Sequence, residues 1–566
     1  MNKPYTRFIA LSVFTALILT GCYRQPNAKP DTPVDKTLST SEILVTSAAG
    51  SKMETRDNVT FTEGVAQGVT ITVYPDSVKQ TIDGIGTSFT ESSAFVLAHL
   101  EPEFRREVME QIYGEQGANF TLTRTHIASC DFTVEGKYTY APIPDDVELE
   151  SFSIEEDAKG FDQSVYPGIK DSDYDLLPMI LEAQKIKAGQ EDQTLRIIAS
   201  AWTAPPWMKD IEAYYQPMTA ENNWQGTGGY LKPEYVGTYA DYLLRYLETY
   251  KAAGVDIWGL TPVNEPHGNN GQWESMNFTP ESQSQFVQEY LGPGLRNSVF
   301  SDTKLLIFDQ NRDGIEQWAN VLYPDDRGNK FIYGMAVHWY ESTFKVYEDV
   351  FDKVQAKYPD YSIVHTEGCI DDLGKPAPAE CTDPEGRTEK NWFKNDEFWW
   401  TASASDWAYA VPWAGPTSKD HPMYVPVHRY ARNIIVSLDH WMTGWVDWNI
   451  VLDQQGGPNH VGNFCGAPIM IDKDNQDVYY TPVYYVLAQF SRTIRPGDVA
   501  VQTRKTAPEL DPDALHACAT MGPDGLLSVQ LLNTTDSEIV FNLQVAEKFA
   551  EIAIPANAVQ TVCVQI

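Results

Sequence analysis

Between about residue 81 and residue 475, short buried apolar runs alternate with longer amphipathic stretches, and that alternation most constrains the fold. A chain that repeats a strand-then-helix step lays its strands parallel and covers them with helices. The strand candidates are 84–89, 121–127, 195–201, 257–263, 304–308, 332–338, 362–366 and 445–450. Eight such units predict an α/β fold closed as a (β/α)8 TIM barrel. The segment 233–253 places Tyr235, Tyr239, Tyr242, Leu243, Tyr246 and Leu247 near helical spacing, a stripe that reads as core packing.

The chain has 566 residues, more than a barrel needs. The remainder has a different texture: 43–45 and 69–73 near the start, and 527–532, 539–545 and 559–564 near the end, alternate apolar and polar residues between Gly, Asn and Asp turns. We expect an antiparallel β-sandwich built from both chain ends, with strands in 43–80 and 476–566 flanking a barrel over 81–475. The Trp- and Pro-rich stretch 371–426 lacks periodicity and is expected to form a long loop beside the barrel mouth.

Before residue 43 the chain reads as an export apparatus. Lys3 and Arg7 precede an apolar run over 8–19, and the segment 1–21 matches a signal peptide too short to span a bilayer comfortably. It ends Leu19-Thr20-Gly21-Cys22, which resembles a bacterial lipobox with Cys22 as the lipidated residue; an ordinary cleaved signal with a chance cysteine is the alternative. Residues 22–42, with Pro26, Pro30 and Pro33, read as a flexible stalk. Tyr23 stands where an inner-membrane retention signal would place Asp, so the expectation is an exported protein tethered to a bacterial outer membrane by lipid alone.

Charge narrows the partners. The 78 Asp and Glu exceed the 42 Lys and Arg, giving −36, which repels nucleic acid and anionic headgroups and leaves a neutral ligand. The 7 cysteines contain no C-x-x-C pair, so no metal or redox site is expected; Cys369 and Cys381 are the one close pair, open to a disulfide. No cofactor is implied, and the sequence is silent on oligomeric state.

Barrel chemistry is assembled at the C-terminal ends of the strands. The fourth candidate runs into Asn264-Glu265-Pro266 and the seventh into Thr366-Glu367-Gly368. Glycoside hydrolysis requires a pair of carboxyl groups facing each other across a sugar, one to protonate the leaving oxygen and one to attack or to activate water. Other tips carry Trp202 and Trp207, His338-Trp339-Tyr340, Asp131 and Trp445-Val446-Asp447-Trp448-Asn449; indoles stack on sugar faces while Asp and Asn fix hydroxyls. A lone tryptophan is as often core.

These motifs, with 124–132, 138–141, 199–209, 366–369 and Gly456-Gly457-Pro458-Asn459, give the chain a close resemblance to glycoside hydrolase family 30, in its glucosylceramidase branch. The resemblance covers nearly all of the chain after the stalk. It implies a retaining double displacement without metal, Glu265 as acid/base and Glu367 as nucleophile. It further implies Asn264 on the sugar 2-hydroxyl, Asp131, Trp202 and Trp448 around the terminal glucose, Arg124 supporting the centre, Asn463 lining the pocket and Tyr340 beside the nucleophile. The chain departs from the family around 267–273 and 371–426, so Trp273 is a candidate platform on the leaving-group side, with surface packing as its alternative. The implied substrates are a β-glucoside or glycolipid, or a β-1,6-glucan cut internally; a non-catalytic glycan-binding lipoprotein is the third reading.

Overall fold

The computed structural model describes residues 38–342, 345–370, 392–401 and 425–566. Cys22, the signal, most of the stalk, Cys381 and most of 371–426 lie outside the described residues.

Eight strands close into a parallel barrel in sequence order: Gly84–Phe89, Leu122–Ile127, Arg196–Ala201, Gly259–Thr261, Lys304–Asn311, Ile332–His338, Ser362–Glu367 and Met442–Asp447. The last pairs with the first through Gly444 and Gly84. Leu122, Ile198, Leu306, Ala336, Val364 and Val446 fill the barrel interior as one buried cluster. Alternate strands supply such layers, because successive side chains on a strand point to opposite faces. At the N-terminal mouth Asp83 accepts hydrogen bonds from Tyr333, Thr443 and Arg196. That plug belongs to stability, leaving the other mouth for chemistry.

Seven barrel strands fall where the alternation predicts them. The eighth is corrected: it runs Met442–Asp447, three residues earlier than expected. Helix Pro426–Asp439 ends just before it, and the polar Thr443 and Gly444 conceal its start from a hydrophobic pattern. The stripe over 233–253 is a helix, Val236–Ala252, with Tyr239, Tyr242, Leu243, Tyr246 and Leu247 buried as core. Within 371–426 the described part is not all loop. It includes the short helix Asp396–Trp399, with Phe393 and Trp399 buried.

The chain ends form one ten-stranded sheet in the order Glu54–Arg56, Thr40–Ser47, Ala558–Gln565, Leu526–Asn533, Leu515–Met521, Val499–Thr506, Thr70–Thr81, Ile539–Val545, Lys548–Ile554 and Thr62–Glu63. Ile43, Val45, Val562, Phe541, Leu543 and Ile552, drawn from both halves of that order, share one core cluster. The sheet therefore packs on itself face to face, as a sandwich does. Its first strand begins at Thr40, inside the segment read as stalk, with Thr40 buried opposite Val564.

Helix Pro482–Thr493, on the sandwich side of residue 475, joins sheet and barrel. Its buried Gln489 accepts from Thr46 and donates to Thr561, each at 2.9 Å, while Gln530 donates to Thr493 at 2.9 Å. On its other side Ser491 donates to the carbonyl of Asn119 at 3.2 Å, next to the second barrel strand.

Candidate active site

The backbone is unusual at the C-terminal ends of the barrel strands. Ala128, Glu265, Phe308, Asp309 and Asn449 all have left-handed φ, between 47° and 73°. For residues with a Cβ this costs about 1–3 kcal/mol each, and such strain gathers where side chains must be aimed. At the fifth strand it lets Phe308 pack outward on Trp318, ring centroids 5.0 Å apart, while the next residue, Asp309, turns its carboxylate to the axis.

Asp309 is the hub of the site. One oxygen accepts from His338 at 3.0 Å and Thr366 at 2.7 Å; the other accepts from Arg124 at 2.9 Å, Ser200 at 2.6 Å and Thr261 at 2.8 Å. Burial works against its charge, but Arg124 and the hydrogen bonds from His338 and Ser200 outweigh it and hold the carboxyl far below the usual range. Arg124, fully buried, also donates to Asn264 at 2.7 Å and to Glu367 at 2.5 Å. Its guanidinium lies 4.8 Å from the Trp202 ring centroid and 5.6 Å from that of Trp448. The two indoles stack at 5.2 Å and 24°.

His338 faces carboxylates with both ring nitrogens, Asp309 at 3.0 Å and Glu265 at 3.3 Å. Burial opposes its charge, yet the surrounding Glu367, Asp309 and Glu265 push its pKa up to about 9. It is an imidazolium at neutral pH, with an oxygen of Asp309 and an oxygen of Glu265 as its acceptors. Glu367 ends the seventh strand and is 6% exposed. Arg124 holds one of its oxygens and the Tyr340 hydroxyl, at 3.0 Å, the other. Burial raises the Tyr340 phenol well above its ordinary range, so it stays a donor.

Burial also pushes Glu367 and Asp131 upward; the neighbouring Glu265 and Asp309 add to the rise at Glu367, and Glu367 adds to the rise at Asp131. Glu367 faces two cations, whereas Asp131 has amide donors, Asn463 at 3.2 Å and Asn459 at 3.4 Å. The Asp131 carboxyl is pushed up to about 7, while His338 and Arg124 counter the rise at Glu367.

A cavity of about 430 Å³ opens over this network. Glu265 and Glu367 both line it, with Asp131, Trp202, Asn264, Tyr340, Trp448, Asn463 and Trp273. Arg124 lies behind the wall rather than in it. The sequence reading missed Asp309 and gave His338 no catalytic part, although Asp309 stands one residue past a predicted strand, where the strand-tip rule points. It also missed Gln310 and Asn311, which line the cavity from the end of the fifth barrel strand, and within 267–273 it did not single out Asn269 and Gln272. Among the strand-tip tryptophans, Trp207, Trp339 and Trp445 are core. Trp207 donates to the Ala141 carbonyl at 2.9 Å, and Trp445 stacks on His365 at 3.5 Å on the outer side of the barrel.

The chain resembles known proteins over most of its length. Residues 82–377 and 409–494 match the Glycosyl hydrolase family 30 TIM-barrel domain, and residues 499–562 match the Glycosyl hydrolase family 30 beta sandwich domain. The chain is 26% identical over 518 residues to lysosomal acid glucosylceramidase of Mus musculus, covering 90% of this chain and 86% of that protein. It is 24% identical over 482 residues to endo-1,6-beta-D-glucanase of Neurospora crassa, covering 84% and 83%. The crystal structure of SrfJ from Salmonella typhimurium superposes with a TM-score of 0.74 at 23% identity, over 93% of this chain and 99% of that one. With barrel and sandwich both matched, the chain belongs to glycosyl hydrolase family 30 and is a glycoside hydrolase.

Proposed function

We propose that this glycoside hydrolase is a retaining β-glycosidase that removes a terminal β-linked glucose, with Glu367 as nucleophile and Glu265 as acid/base. One observation carries the reading: two glutamates, one just past the fourth strand and one ending the seventh, line a single cavity, and the buried one is held on both oxygens by Arg124 and Tyr340. Glu265 is the more accessible, its side chain 15% exposed against 8% for Glu367. That suits a group that exchanges protons with a leaving oxygen and with water.

In the first step a Glu367 oxygen attacks the anomeric carbon while the bond to the glycosidic oxygen breaks. Its electron pair leaves on that oxygen, which takes the proton of Glu265. In the second step Glu265 removes a proton from water as the water oxygen attacks the same carbon and Glu367 departs. Asn264, pinned by Arg124, faces the sugar 2-hydroxyl, while Asp131, Trp202 and Trp448 hold the glucose.

Glu367→Gln should lower kcat by about 10⁴-fold or more on every β-glycoside, with folding checked by circular dichroism. Proton NMR of the first-formed sugar should show the β-anomer; an α-anomer at the outset would mean inversion and would remove the nucleophile role.

The likeness to the mouse enzyme supports a β-glucoside or glucosylceramide substrate. A second reading, internal cleavage of β-1,6-glucan, is supported by the Neurospora relative and by the cavity's extension along Asn269, Gln272 and Trp273. Rates on glucosylceramide, an aryl β-glucoside, an aryl β-xyloside and pustulan, measured side by side, separate the two. Export and lipid attachment at Cys22 complete the proposal, supported by the lipobox-like Leu19-Thr20-Gly21-Cys22. Cys22→Ser should move the protein from the membrane pellet to the soluble fraction.

A further inference from the structure

Trp273 lines the cavity with Asn269 and Gln272 from the loop after the fourth strand, apart from the residues assigned to the glucose, and on the proposed reading this wall meets the leaving group. The next residue, Glu274, points the other way and is completely buried. One of its oxygens pairs with His460 Nε2 at 3.2 Å, and the other accepts the backbone N–H of Lys137 at 2.8 Å. The remaining ring nitrogen of His460 faces the Thr133 carbonyl oxygen at 3.0 Å. With an acceptor at each nitrogen, the imidazole satisfies both only as a donor at both, that is, as a cation paired with the Glu274 carboxylate.

The pair joins three loops that leave different barrel strands. Glu274 comes from the loop after the fourth strand, Lys137 and Thr133 from the loop after the second, and His460 from the segment after the eighth. Gly136 lies directly against the His460 ring: a Cβ there would come within 2.6 Å of three ring atoms, and its φ is +68°. On its other flank the same wall is pinned by Lys209, whose buried ammonium donates to the carbonyls of Tyr214 at 2.8 Å, Gly228 at 3.0 Å and Ser275 at 3.0 Å. Asn269 donates to the Trp273 carbonyl at 3.2 Å. His460 is also next to Asn459, which reaches Asp131, and its own N–H donates to the Asp131 carbonyl at 3.3 Å.

We propose that the Glu274–His460 pair is a positioning device that holds the Trp273 wall in place and so sets which leaving groups the enzyme accepts. The proposal rests on the glycosidase reading above and adds the groups that select the aglycone. Neither side chain lines the cavity, so both act through Trp273. A buried ion pair is a weak source of net stability but a strong constraint on geometry when partners on three loops must meet at one point.

The test compares kcat/KM for two substrates that share a terminal glucose, gentiobiose and 4-nitrophenyl β-glucoside, in one preparation of full-length enzyme. The ratio of the two is independent of how much protein is folded, so a destabilised variant still gives an answer. His460→Ala and Glu274→Ala are each expected to shift the ratio at least fivefold, mainly through KM for gentiobiose. His460→Gln, which keeps an N–H toward Glu274, should restore more than half of the shift on a logarithmic scale. Trp273→Ala should shift the ratio in the same direction, and His460→Ala added to it should add little, because the two act through one wall. An unchanged ratio, an equal loss on both substrates through kcat, or full additivity with Trp273→Ala overturns the proposal. A wild-type enzyme inactive on both substrates would instead count against the terminal-glucose reading.

Discussion

At the scale of single residues, the site is organised by charges that no substrate need touch. Asp309 gathers Arg124, His338, Ser200, Thr261 and Thr366 on one carboxylate, and Arg124 passes that order to Glu367 and Asn264. Asp309→Asn removes the charge that Arg124 and His338 share in the buried hub and should cost about 3–5 kcal/mol in urea unfolding. His338 gives a pH signature. Its folded pKa is raised from 6.5 to about 9, so its stabilising contribution is complete below pH 6.5 and is lost as pH rises through 9. Thermal midpoints of wild type should therefore fall across that interval, and His338→Gln should flatten the fall. Sequence could name Glu265 and Glu367 because each ends a strand in a recognisable step. It could not name Asp309 as the hub, since the five donors that meet on it come from five different strands.

At the scale of elements, period carried most of the reading. Buried strands alternating with helices located seven barrel strands closely. Polar residues at the start of the eighth hid it, because hydrophobic pattern is a proxy for burial and barrel strands bury polar side chains as well. Strands Val499–Thr506, Leu515–Met521 and Lys548–Ile554 were missed for the related reason that their exposed or polar positions dilute the alternation. Close approach between strands has its own residue requirement. A Cβ on Gly86 would lie 1.8 Å from the Leu122 carbonyl oxygen, a backbone atom that cannot rotate aside. Gly86→Ala should cost about 3 kcal/mol by denaturant titration, through displacement of the first barrel strand from the second.

At the scale of the molecule, the first strand, Thr40–Ser47, pairs with the last, Ala558–Gln565, and Gln489 stitches both to a helix packed on the barrel. Barrel and sandwich should therefore unfold together, and calorimetry should give one transition with equal calorimetric and van't Hoff enthalpies. Removing residues 38–47 should lower its midpoint by several degrees, since it uncovers the last strand and leaves Gln489 short of the Thr46 hydroxyl. The sequence by itself determined the barrel, the β-rich ends and the two glutamates, because burial period and strand-tip motifs are written locally along the chain. The tertiary structure alone decided which tryptophans face the cavity and that Asp309 and His338 govern the charge of the site. It also decided that Glu274 meets His460. Each of these depends on groups far apart in the chain converging on one point, where low dielectric makes their mutual charges strong, and no local pattern encodes that convergence.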